Sequence, residues 1–225
     1  MNRSKTVDAP RYKNLAGYQQ RVAHHEAGHA TGIYLNNRDY NLPPVFFKII
    51  FKNVNQLWDS NGLMSQDGSI AKIKGGRLVQ SLMPTFKALD SKFKCADETK
   101  LQVIDEYRLA FEADIVNLLI GPLAEAKFSY QTDNELFNEK LITLRSLKNY
   151  GGDDDLALVK DYLQSYSTDQ EPQYELLDQL FAKAFNFIND NSNWKAIMRL
   201  ANHILSCNND VISCEEVALV LTNNT

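Results

Sequence analysis

The segment HHEAGHA, residues 24–30, places three of the chain's four histidines within six positions, around a single glutamate. The pattern around it predicts a helix from about Leu15 to Leu35, stopped by Asn36 and Asn37, residues that readily end a helix. Residues four apart share a helix face, so His25 and His29 can aim their imidazoles at one Zn²⁺ at about 2.0–2.1 Å. Glu26 is turned by about 100° from His25, which lets it reach a water on that ion without displacing it as a ligand. This is the H-E-x-x-H spacing, in which zinc acidifies its water and the glutamate takes the proton. With four histidines and eleven glutamates in the chain, chance produces the pattern on the order of a few times per thousand such sequences. The competing reading is a helix whose histidines are only buried and hydrogen-bonded. His24 points away from His25 and is expected to pack or lie at the surface. Gly28 costs about 1 kcal/mol against alanine in a helix interior, so its presence predicts close packing there.

A chain of 225 residues supports one substantial core. The expectation is an N-terminal extension over 1–14 and a single domain over 15–225. With 44% apolar residues, 23% charged residues and a net charge of −4, the composition excludes a disordered chain and gives no basis for nucleic-acid binding. MNRSKTVDAPRYKN carries positive charge but no apolar segment follows it, and DIVNLLIGPLA, opened by Asp114, falls short of the roughly 20 residues of a membrane span. A cytoplasmic protein is expected. Cys95, Cys207 and Cys214 are odd in number and scattered, which argues against a disulfide framework. His203 and Cys207 lie one helical turn apart with Cys214 beyond, raising a second metal site; buried, inert thiols are the expected state.

VFFKIIFK (45–52) alternates, with Val45, Phe47, Ile49 and Phe51 on one face and two lysines on the other, and predicts a half-buried strand. DSNGLMSQDGS (59–69) is turn-rich and holds at most one short strand. KIKGGR (72–77) is loop-like, and 76–100 carry no decisive pattern. A long helix is predicted from Glu98 to Tyr130, bent at Gly121-Pro122. Residues 131–150 are polar apart from the short amphipathic ELFNEKLITL. GGDDDLALVKDYL (151–163) reads as a loop feeding a helix. YELLDQLFAKAFNFI, NWKAIMRLANHIL and SCEEVALVL then predict three amphipathic helices. The fold class is mainly α with a small β element (α+β).

Catalytic zinc generally has three protein ligands and an open position. The metzincin pattern is matched through Gly32, but its last histidine would fall at Leu35. His203 is the only histidine left, so a carboxylate is the expected third ligand. Glu125 shares a helical face with Leu118, Gly121 and Phe128 and should point inward, where a carboxylate is costly unless paired or metal-bound. Of Asp153, Asp154 and Asp155, two are expected to serve as caps or solvated charge, while Asp155 shares the face of Val159 and Tyr162. On these grounds Glu125 and Asp155 are nearly tied.

RVAHHEAGHA (21–30), LLIGPLAEA (118–126) and GGDDDL (151–156) together resemble the peptidase domain of the FtsH family of ATP-dependent zinc proteases, with the elements in the same order along nearly the whole chain. The resemblance implies an FtsH-type peptidase fold with an H-E-x-x-H helix. It also implies His25, His29 and Asp155 as zinc ligands, Glu26 as base, and Glu125 nearby without being a ligand. His24 stands where a tyrosine is usual, and Ile120, Pro122 and Ala126 replace a glycine, an arginine and a glutamate. Family members carry membrane spans and an ATPase module upstream, whereas this chain reaches its motif by residue 25 and has no G-x-x-x-x-G-K-[ST] phosphate loop. The implied function is a zinc metallopeptidase acting on unfolded or short polypeptides, which could pair along a strand edge near Gly62 to Ser65. The alternative is a non-catalytic zinc-bound adaptor that partners a separate ATPase or a related protease.

Overall fold

Residues Leu15–Asp39 form one helix, α1, and every residue on it from Ala23 to Ile33 is buried. A helix enclosed to that extent needs neighbours around its circumference. It packs along α2 (Glu98–Thr132) and α5 (Asn191–Ser206) and against strand β2 (Ala71–Gly75). The computed structural model describes residues 15–52, 70–82 and 98–222. The expected extension 1–14, the turn-rich segment 59–69 with the strand edge expected near Gly62 to Ser65, and Cys95 lie outside these.

Small residues set the distance between α1 and α2. A Cβ at Gly28 would lie 2.7 Å from the Cβ of Ala124 and 3.0 Å from the Ile120 carbonyl oxygen; one turn on, a Cβ at Gly32 would lie 2.8 Å from Ile120 Cδ1. The close packing expected at Gly28 is therefore present. The expected helix stop at Asn36 and Asn37 is not. Both side chains are buried, and Asn36 Nδ2 donates to Asn117 Oδ1 at 3.0 Å on α2. That tertiary partner removes the local hydrogen bonding through which asparagine usually breaks a helix. The chain turns away after Asp39 through Asn41, whose φ of 53° is left-handed.

Strand β1 (Phe47–Phe51) buries Phe47, Ile49 and Phe51 and exposes Lys48. It is the middle of a three-stranded antiparallel sheet of order β2-β1-β3, with Ile73 opposite Ile49 on one side and Ile212 of β3 (Val211–Ser213) opposite it on the other. The loop expected over 72–77 is thus corrected: its first four residues belong to β2, which ends where Gly75 and Gly76 both take positive φ.

Helix α2 continues through Pro122 to Thr132. A 3₁₀ segment, Leu144–Tyr150, follows, opened by a reciprocal Thr143–Ser146 cap. Helices α3 (Asp153–Tyr166), α4 (Gln170–Asn189), α5 and α6 (Cys214–Thr222) correspond to the aspartate-led helix and the three amphipathic helices expected. The structure is mostly helical with a small sheet, and one hydrophobic core extends from Ala23 to Leu221. No helix among the described residues is long and apolar enough to cross a membrane.

Gly28→Val forces branched bulk between α1 and α2. It is expected to lower stability by about 1–3 kcal/mol, seen as an earlier midpoint in urea unfolding.

Candidate metal centre

The α1–α2 contact determines what the motif histidines can touch. His29 lies over Gly121 of α2, where any side chain would collide with its ring. Its Nδ1 is 2.8 Å from the Asn117 carbonyl oxygen. A carbonyl only accepts, so that nitrogen carries the proton and Nε2 of the neutral ring is left with its lone pair. His25 is arranged in the same way: Nδ1 is 3.2 Å from Glu125 Oε2 and 3.2 Å from the Tyr150 carbonyl oxygen. Both imidazoles are thus oriented by acceptors behind them, as metal-bound histidines are.

The two Nε2 atoms face each other at 3.0 Å, and Asp155 completes the triangle with Oδ2 at 3.2 Å from His25 Nε2 and Oδ1 at 3.3 Å from His29 Nε2. Ligand atoms placed tetrahedrally about a zinc at 2.0–2.1 Å are separated by about 3.3 Å. With both imidazoles neutral, three lone-pair donors therefore converge at metal-site spacing, and the nitrogen, nitrogen and oxygen set fits Zn²⁺. Asp153 and Asp154 share the first turn of α3 with Asp155 but are exposed, whereas Asp155 is half-buried.

Asp155 is delivered by the glycine pair before α3. Gly151 ends the 3₁₀ segment at φ 75°, and a Cβ there would sit 3.0 Å from Glu125 Oε2 and 3.2 Å from His25 Nδ1. Only glycine combines that backbone conformation with that proximity. Glu125 is buried between His25 and Arg21, whose Nε lies 3.9 Å from its Oε1. The inward orientation expected of Glu125 is present, and its carboxylate stands behind the imidazole of His25. His24 packs, as expected of it: it stacks on Phe128 at 3.9 Å between ring centroids and directs Nδ1 at the Gln20 carbonyl.

Glu26 is buried and forms no hydrogen bond or ion pair among the described residues. It lines a cavity of about 740 Å³ together with His25, His29 and Asp155. Burial pushes the pKa of Glu26 up, and the charges of His25 and His29 only partly offset this. Burial alone would lower His25, but hydrogen bonds to Asp155 and Glu125 hold it well above the ordinary imidazole range. His29 is raised for a similar reason, the charge of Asp155 overriding burial. Burial would raise Asp155; the charge of His29 and the hydrogen bonds from both histidines instead hold it far below the usual carboxylate range.

Asp114 also lines this cavity, a role that sequence analysis misses. Its carboxylate accepts from the backbone of Leu78 at 2.9 Å and Val79 at 2.8 Å, and from the Tyr162 hydroxyl at 2.8 Å. It ties the segment after β2 to α2 and α3, closing one side of the cavity. A signal for it does exist: Asp114 falls four residues before Leu118, on the inward face that also carries Glu125.

Compared with known protein families, characterised proteins and solved structures, the chain matches no family model, no characterised protein and no solved structure.

With metal stripped by a chelator, His25 and His29 titrate higher in the folded than in the unfolded chain. Their ion pairs with Asp155 then stabilise the fold fully below about pH 6.5 and lose that contribution as pH rises through the raised folded values. Thermal melts of the stripped protein are expected to fall as pH rises above about 6.5. Zinc uptake should strengthen over the same rise, because it needs neutral imidazoles. Stability that stays flat would refute the pairing.

Proposed function

We propose that this chain is a zinc metallopeptidase of the FtsH type, hydrolysing peptide bonds in unfolded or short polypeptides. One observation carries the reading: His25 Nε2, His29 Nε2 and an Asp155 carboxylate converge within 3.3 Å of one another, beside a buried glutamate with no described partner. Further support comes from the three segments that resemble the family. They are far apart in sequence, and each contributes a side chain to this one cavity.

His25, His29 and Asp155 would hold Zn²⁺, which when bound supplies Lewis acidity to polarise a carbonyl and acidify a water. Glu125 is not needed as a further ligand. It is engaged with His25 Nδ1 and keeps that ring in the tautomer that presents Nε2. Glu26 accepts the proton of the attacking water and returns it to the nitrogen of the leaving amine as the C–N bond breaks. Its burial suits that task, since a carboxylate held above its ordinary pKa takes up a proton more readily than an exposed one.

Glu26→Gln is expected to keep its zinc at this centre, about one equivalent there, and to lose cleavage of unfolded casein by at least about a hundredfold. Asp155→Ala should lose or greatly weaken zinc at this centre, while Glu125→Ala retains it there. Zinc uptake without any cleavage by the wild type would overturn the peptidase and favour the adaptor, with a separate ATPase or related protease as its partner.

A further inference from the structure

The end of α5 and the start of α6 bring together three side chains that the first centre does not use. One ligating atom each of His203, Cys207 and Glu216 lies within 4.8 Å of the other two. His203 and Cys207 are one turn apart, and Cys207 ends α5 with its amide bonded to the His203 carbonyl at 2.9 Å. Glu216, in the first turn of α6, places Oε1 2.7 Å from His203 Nε2.

We propose that His203, Cys207 and Glu216 form a second metal site that takes Zn²⁺. Imidazole, thiolate and carboxylate are all established zinc donors, and a set containing sulfur and nitrogen disfavours Ca²⁺ and Mg²⁺. All three residues are half-buried, so an ion can enter and a water can fill the fourth position. The expectation of buried thiols is corrected here for Cys207 and Cys214, which are both half-buried. A bound ion would take the place of the direct His203–Glu216 hydrogen bond, and because the sulfur ligand is a thiolate its binding displaces the thiol proton.

The site would fasten α6 to α5 across β3, the strand that pairs with β1. A metal that closes this loop stabilises the fold because it binds the folded chain and not the unfolded one.

The test uses the full chain and Co²⁺, whose bond to a thiolate gives a near-ultraviolet charge-transfer absorption that a histidine and aspartate site cannot produce. Wild-type protein is expected to show that absorption, saturating at about one equivalent at this site. His25→Ala should retain it, which separates the result from the fate of the first centre. Cys207→Ser should abolish it, Glu216→Gln should weaken cobalt binding at least about tenfold, and Cys214→Ser should leave it intact. Zinc should raise the melting temperature of His25→Ala but not of His25→Ala combined with Cys207→Ser. No thiolate absorption in the wild type, or absorption that survives Cys207→Ser, would overturn the proposal.

Discussion

Helices α1 and α2 meet where neither carries bulk: Gly28 and Gly32 on one, Gly121 and Ala124 on the other. The approach is close enough for the His29 ring to lie against the α2 backbone and reach the Asn117 carbonyl. A longer separation would leave that imidazole without its acceptor, and a buried polar group without a partner is costly. The same contact brings Glu125 to His25. Backbone proximity, achieved through missing side chains, is thus what makes a polar cluster tolerable inside an apolar core.

Charge balance within that cluster is delicate. Two buried imidazoles, buried Glu26 and Glu125, and half-buried Asp155 line one cavity, in which isolated charges would be disfavoured. Protons on the histidines offset the carboxylates in the metal-free protein, and a divalent ion would do so in the loaded one. Both states need the same orientation of the rings, and this is fixed from behind by Asn117, Tyr150 and Glu125. Geometry is therefore set by groups that do not themselves converge on the centre.

Much of this is legible in the sequence where periodicity and chemistry agree. The motif helix, the alternating β1 and the aspartate-led α3 each satisfy a local rule that the tertiary structure leaves standing. Local rules fail where a distant partner intervenes. Asn36 continues the helix because Asn117 satisfies its amide, and the lysine-bearing β2 exists because β1 supplies its ladder. Asp114 reads as an interruption of an apolar run, although three hydrogen bonds make it a tie between segments. Glu216 cannot be associated with His203 from spacing, because the intervening β3 is what turns α6 back toward α5.

The sheet order has a consequence for how the molecule assembles. β1 lies between β2, next to it in the described chain, and β3, which is separated from it by nearly all the helices. Pairing Ile49 with Ile212 is a contact of very high sequence separation, and such contacts slow folding because a long loop must close before they form. During synthesis, β1 and β2 emerge well before β3 can join them. Helix α1 accordingly stays in contact with solvent until α2, and later α5, are available to pack along it.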